Sequence, residues 1–336
     1  MKYFFLFLLV LIACAPVEHS TKIGLILPLT GPGAQLGELY LQGAELAVAD
    51  LNAKGHDIEL VVEDTGSDSK NAVTAMKKLV EVDDIKLFAT TMSTHGLALK
   101  PLAAEYNIVL FGDVAHPQMT DGSQNLFRHS QTANVEVNII VNKLKELSMK
   151  KVGLLYSNED YGNEFNRLLK VQFPESEAEA YDLKATDTRT EVAKLADNEA
   201  IIVVGVGPAF NAGIKQVKES GFTGPVFANI GFVISNTKDL PESKGVYHTD
   251  FPYTYLDKWS DFAQKFKTKY GKDAQALHPL GYGTIELIAA GVNKASGDQS
   301  RVTEELHNMG TFEGTYERMQ ISGNGDIPIP VVIVQN

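Results

Sequence analysis

Histidine, aspartate, glycine and cysteine carry what chemistry this chain offers, and their spacing limits what that chemistry can be. His95, His116 and His129 each follow or end an apolar run, with Asp113 standing among them. Imidazole and carboxylate together suit zinc. No His-x-x-x-His or Cys-x-x-Cys pair puts two ligands on one turn, however, so capping or surface histidines are expected, and no metal centre. Gly205-Val206-Gly207 lies between an apolar run and a helical pattern, where a dinucleotide loop would lie. Phe210 takes the place of its third glycine, and Pro208 lacks an N–H that a pyrophosphate would use, so a plain strand-to-helix turn is expected. Gly-x-Ser-x-Gly, Walker and His-Glu-x-x-His motifs do not occur. The paired acids Glu63-Asp64, Asp83-Asp84 and Glu304-Glu305 fall at element ends, where solvated charge is the ordinary reading. The residues therefore point to binding without catalysis: no enzyme, no cofactor and no metal.

Cys14 is the one cysteine of 336 residues, and it directly follows the apolar run at 3–13. As a helix that run rises only about 16 Å, half a hydrocarbon core, which suits the apolar part of a secretory signal and not a membrane span. Leu11-Ile12-Ala13-Cys14 resembles the lipobox of bacterial lipoproteins. The resemblance implies a signal peptide and lipobox over 1–14, cleavage before Cys14, diacylation of that cysteine, and a tether over 15–21. The chain from Cys14 onward carries 29 basic against 42 acidic residues, which favours solubility and excludes nucleic acid as a partner. At 44% hydrophobic and 21% charged, it is globular and long enough for two lobes.

The elements that must position any site alternate in kind. KIGLILPL (22–29), IELVVED (58–64), KLFATTM (86–92) and IVLFGD (108–113) read as buried strands, separated by helices. Asp68 or Ser69 is expected to cap the second helix. A second series starts near Ala133 and runs through KVGLLYS, EAEAYD, AIIVVGV, PVFANI and GVYHTDF. Helices near 259–270 and 279–295 follow, then strand-like segments around the turn Gly323-Asn324-Gly325-Asp326. Alternation of this kind means parallel sheets covered by helices, here in two α/β lobes that the chain crosses more than once. A ligand cleft would lie between the carboxyl ends of their strands.

LTGPGAQLGELYLQGAELAVADLNAKG (29–55) is similar to the leucine/isoleucine/valine-binding family of type I periplasmic binding proteins, the solute receptors of ABC importers. EDTGSDSKNAV, Phe127-Arg128, Tyr161-Gly162, KQVKESGF and SGNGD support the resemblance in the right order. It implies two lobes, each a parallel-rich sheet flanked by helices, joined by three hinge crossings. Lobe one would take 21–132 plus 253–322, and lobe two 133–252 plus 323–336. It further implies an extracytoplasmic protein, lipid-anchored at the membrane, whose partners are a small-molecule ligand and ABC permease subunits. The alternative is a sensory or regulatory protein on the same fold that signals to a partner.

Carried onto this chain residue by residue, the family pattern places the ligand carboxylate at Ser93, then Thr94, where helix capping is an equally open role. The second ligand loop falls on Asp113, Ala115 and His116, and Tyr161 keeps the aromatic that closes over the ligand. Leu36 stands where relatives have a covering aromatic, Phe210 is the nearest aromatic from lobe two, and Asn229 lies beside the position of the ammonium-pairing acid. That acid is missing, for Ile230 or Gly231 takes its place. Either Asp113 has reversed the polarity of an amino-acid site, or the ligand lacks an α-ammonium. The second is preferred, since a buried ammonium without a carboxylate costs several kcal/mol.

Overall fold

The computed structural model describes residues 20–252 and 256–336, so the signal, the lipobox, Cys14 and most of the tether lie outside the described residues. In the first lobe β1 (Thr21–Leu27), α1 (Ala34–Ala53), β2 (Ile58–Asp64), α2 (Ser69–Glu81), β3 (Leu87–Thr90), α3 (Ser93–Glu105), β4 (Val109–Gly112) and β5 (Leu126–Ser130) follow the alternation of apolar runs. The second lobe repeats it with α4 (Ala133–Glu146), β6 (Val152–Ser157), α5 (Asp160–Gln172), β7 (Glu177–Tyr181), α6 (Arg189–Lys194), β8 (Ala200–Val204), α7 (Gly207–Glu219), β9 (Val226–Ala228), α8 (Gly231–Ile234) and β10 (Tyr247–Asp250). The chain then returns through α9 (Trp259–Tyr270), α10 (His278–Lys294) and α11 (Val302–Met309). It ends with β11 (Thr311–Glu313), β12 (Arg318–Gln320), β13 (Asp326–Pro328) and β14 (Val332–Gln335).

Each lobe holds a six-stranded sheet, ordered β13-β5-β4-β3-β1-β2 in one and β14-β10-β9-β8-β6-β7 in the other. Within these two sheets every pairing is parallel except that of β10 with β14. Helices cover both faces, so β3, β4 and β8 are buried throughout, which is why they read as continuous apolar runs. Asp68 caps α2 by accepting from the Lys70 N–H at 2.7 Å. The register levels the strand ends: Ile26 pairs with Thr90 and Thr90 with Gly112, as Tyr156 pairs with Val204 and Val203 with Ala228. The loops that follow these strands therefore emerge side by side.

Helices α1 and α10 meet almost backbone to backbone. A Cβ on Gly43 would lie 1.9 Å from the His278 carbonyl oxygen, and one on Gly281 2.1 Å from that of Tyr40. Glycine is required at both positions, and Leu36, Tyr40, Leu277 and Leu280 line one cleft beside this contact. At the far end of α1, Asn52 clamps β2 with two 2.9 Å bonds to the Ile58 backbone. Asp64 is not merely solvated. It accepts from Leu29 N–H, Thr30 N–H, Gly66 N–H and the Thr30 hydroxyl, tying the loop after β1 to the loop after β2.

The chain crosses between lobes three times: after β5, after β10, and between β13 and β14. The last crossing differs from the expected division at residue 323, because β13 belongs to the first sheet. The strands beside the turn at 323–326 do not pair with each other: β12 pairs with β11, and β13 with β5. The cause is Arg128, 2% exposed, whose guanidinium grips Asp326 with bonds of 2.7 and 2.5 Å and donates a third to the His116 carbonyl. Phe127-Arg128 and Gly325-Asp326, two separate motifs in the sequence, are one clamp in the fold.

Candidate functional site

Between the lobes lies a partly open cleft whose cavity volume is about 90 Å³. Its walls come from the loops at the carboxyl ends of β3, β4 and β5 in lobe one and of β6 to β9 in lobe two, with α1 and α10 alongside. This is the topological crevice of two open parallel sheets set mouth to mouth. The lobes touch across it. Ile230 and Ile234 share one apolar cluster with Leu39 and Leu280, and Gly207 comes so close to Pro32 that a Cβ there would lie 2.2 Å from the Pro32 carbonyl oxygen.

Ser93 lines the cleft and is 5% exposed. It is not the cap of α3, because the N-cap position is Met92 and no side chain bonds the first turn. Met92 holds φ at +69°, a left-handed conformation that costs a side-chain-bearing residue ~1–2 kcal/mol and is kept where surrounding structure demands it. Thr91 stands beside it, 1% exposed, with a hydroxyl that has no hydrogen-bond partner.

Asp113 lines the cleft from β4 and is firmly held. Its carboxylate accepts from the Tyr40 hydroxyl at 2.5 Å, the Thr284 hydroxyl at 2.7 Å and the His129 N–H at 2.9 Å. Burial raises its carboxyl despite those donors. His129 lies behind, its Nδ1 3.1 Å from the Thr284 hydroxyl and its Nε2 3.5 Å from Glu317. Burial disfavours charge on this imidazole, but Glu317 and Asp113 outweigh it and raise the group.

From lobe two come Tyr161, Asn229 and Glu159. The Tyr161 hydroxyl donates at 2.8 Å to Glu136, a carboxylate with no exposed surface. Glu136 also accepts from Gln131 in the first crossing, from Ile230 N–H after β9 and from Thr249 in β10. Burial raises its carboxyl, and among the described residues no cation pairs with it. Glu159 caps α5, accepting from Tyr161 N–H, Gly162 N–H and the Ser157 hydroxyl at 2.9 to 3.0 Å. It lines the cleft at the same time.

Six of the residues proposed from sequence thus come together on the cleft: Leu36, Ser93, Asp113, Ala115, Tyr161 and Asn229. Three do not. Thr94, in the first turn of α3, does not line the cleft, and His116 uses its Nδ1 to cap the turn Pro117–Thr120. Phe210 is wholly buried in the core of lobe two beside Phe232. Tyr40, Gln131, Glu136 and Glu159 were not anticipated. Among the described residues no three His, Cys, Asp or Glu side chains gather to hold a metal, and no helix is long and apolar enough to cross a membrane.

A family model described as periplasmic binding protein matches residues 20–333, which spans both lobes and every crossing. The chain belongs to the periplasmic binding protein family. Its relatives are solute-binding proteins. Among its relatives is Leu/Ile/Val-binding protein homolog 7 of Brucella suis, 24% identical over 330 residues that cover 88% of this chain and 83% of that one. The fold is similar to that of the branched-chain amino acid transporter substrate binding protein LivJ from Streptococcus pneumoniae, solved in complex with isoleucine. The TM-score is 0.84 and the identity 21%, over 95% of this chain and 100% of the other. It is equally similar to an ABC transporter solute binding protein from R. palustris solved in complex with benzoate, with a TM-score of 0.85 and 18% identity over 94% and 93%. This periplasmic binding protein therefore shares its architecture with receptors of chemically unlike ligands, and its own side chains must decide what it holds.

Proposed function

We propose that this chain is the extracytoplasmic solute-binding component of an ABC importer, held at the membrane by a lipid on Cys14. Its ligand is a small amphipathic molecule, of the branched-chain amino acid class or a related amide or carboxylate, captured as the lobes close. The observation that carries this reading is a cleft walled by strand-end loops of both lobes, with polar groups at Ser93, Asp113 and Tyr161 facing an apolar wall at Leu36, Ile230 and Leu280. Hinge closure over such a cleft buries the ligand on both sides and presents one closed shape to a permease. Membrane tethering raises the effective concentration of receptor at that permease.

A thermal-shift screen over amino acids, amides, aromatic acids and nucleosides tests the reading. A true ligand at a hundredfold excess over its Kd stabilises the fold by about 2.7 kcal/mol. Deletion of the protein should then abolish uptake of that compound, and uptake that persists would favour a signalling role. Cys14→Ser should release the protein from the membrane fraction, and retention there would refute the lipid anchor.

A further inference from the structure

We infer that Glu136 is the positioning residue of cleft closure, a buried carboxylate that ties the lobe-two wall of the cleft to the crossings about which the lobes turn. The inference rests on the reading of the cleft as the ligand site, and it gives a role to a residue that does not line that cleft.

Glu136 lies in the first turn of α4, just after the first crossing, and has no exposed surface. Its donors come from four separate stretches of chain. Oε1 accepts from the Gln131 amide at 3.3 Å and from the Tyr161 hydroxyl at 2.8 Å. Oε2 accepts from Ile230 N–H at 2.9 Å and from the Thr249 hydroxyl at 2.7 Å. Each carboxylate oxygen can accept two hydrogen bonds, so both are filled and nothing is left for a ligand. Glu136 therefore acts through its partners. Gln131, Tyr161 and Ile230 line the cleft, and Ile230 also packs with Leu39 and Leu280 of lobe one. Gln131 belongs to the first crossing as well, and Thr249 lies in β10, which leads into the second. Thr249 pairs with Ile333 of β14, the strand entered by the third.

Filling space does not call for this arrangement. An apolar side chain of similar volume occupies a buried site at less cost than a carboxylate without a cation. What the carboxylate provides is direction. Hydrogen bonds to an ionised acceptor are short and strong, and a buried network with every member satisfied holds one geometry. A shift of Tyr161 or Ile230 against a ligand moves the acceptor that Gln131 and Thr249 share. A turn at the crossings moves the wall in return. Contact in the cleft and rotation of the lobes are thus one coupled equilibrium, with Glu136 as the joint.

The test reads the lobe-to-lobe distance without a ligand. Lys70 follows β2 in lobe one, Lys184 follows β7 in lobe two, and both are exposed. Cys14 is the one native cysteine. In the full chain carrying Cys14→Ser, spin labels on Lys70→Cys and Lys184→Cys report that distance by pulsed electron paramagnetic resonance. Thr249→Val removes the donor at the crossing, and Tyr161→Phe removes the donor at the wall. Each should broaden the distance distribution, and the double variant should broaden it no further, because either cut breaks the same link. Thr188→Val is the control, since it too loses a 2.7 Å bond from a buried hydroxyl, to Gln216 within lobe two. It should lower the melting temperature and leave the distances unchanged. A distribution in Thr249→Val that matches the control overturns the inference, as does broadening that simply sums in the double variant. Leucine, isobutyramide, benzoate and adenosine serve as binding probes in calorimetry. Any that binds the parent should bind Thr249→Val about fivefold more weakly and Thr188→Val equally well. Equal affinity in both variants also overturns the inference. If neither these four nor any compound of the wider screen binds, the reading of the cleft as a ligand site falls, while the distances still decide the role of Glu136.

Discussion

Gly207→Ala separates closure of the cleft from stability of the fold. Gly207 opens α7 with φ at +79°, and an added Cβ would sit 2.2 Å from the Pro32 carbonyl oxygen of the other lobe, where real contacts do not fall below 3.0 Å. The lobes would have to part by about 0.8 Å at this point, the difference between those two distances. Gly207 and Pro32 stand on opposite lobes, so the clash is relieved as the lobes part. Overpacking of this size costs ~1–3 kcal/mol, and the closed population falls accordingly, so ligand affinity should weaken by roughly 5- to 150-fold. The left-handed backbone adds ~1–2 kcal/mol of strain in the open and closed forms alike. Gly221→Ala is the matched control, with φ at +83° and nothing within 4 Å of the new Cβ. Both variants should melt at lower temperature, but only Gly207→Ala should lose affinity in calorimetry and fail to compact on ligand addition in small-angle scattering. Equal affinities in the two variants would refute the Gly207–Pro32 contact as a condition of closure.

Three further outcomes follow from the buried polar groups. Glu136→Gln places an amide N–H₂ against groups that already donate, so urea denaturation should show a loss of ~2–3 kcal/mol together with weaker ligand binding through Tyr161; unchanged stability would refute the four-donor assignment. Arg128→Lys keeps the charge but loses the fork to Asp326 and should cost ~2 kcal/mol, a loss that Asp326→Asn should reproduce; stability equal to the parent would dismiss the clamp. Burial pushes His95 down to about 4 and His278 down to about 3, so both should remain neutral by NMR at pH 5, and titration near 6.5 would contradict their burial. The linked stability is fully present above pH 6.5 and is lost on acidification toward those values, by ~2 kcal/mol per histidine at pH 5. Asp113, Glu136 and Glu159 are raised by burial and act in the opposite sense, so the histidine signals and not the melting curve carry this test.

Local signals told most of the fold. Strands buried on both faces leave continuous apolar runs, and the close packing of α1 on α10 leaves a glycine at 43, so the alternation and the long motif at 29–55 were legible. The third crossing was misplaced because its cause is the bond between Arg128 and Asp326, 198 positions apart. The same limit governs the site. Ser93 and Tyr161 sit at strand-to-helix junctions that the register brings level, and such junctions can be found from the sequence. Glu136 cannot, because its partners at 230 and 249 lie 94 and 113 positions away. Glu159 was visible only as the acid that precedes a helix, and a residue with two duties shows just the local one. His116 and Phe210 failed for the reverse reason: each satisfies a nearby need, a turn cap and a core, that its type alone does not reveal.

One outermost strand of each sheet, β13 in the first and β14 in the second, is drawn from residues 326–335. Neither lobe can finish its sheet until that stretch has been synthesised, however early the other strands emerge. A chain cut short before residue 326 would leave β5 and β10 each with an unpaired edge, the kind of surface that recruits other chains. Complete synthesis is thus a condition for both lobes at once, and a nearly finished molecule is more prone to aggregate than to function at half strength.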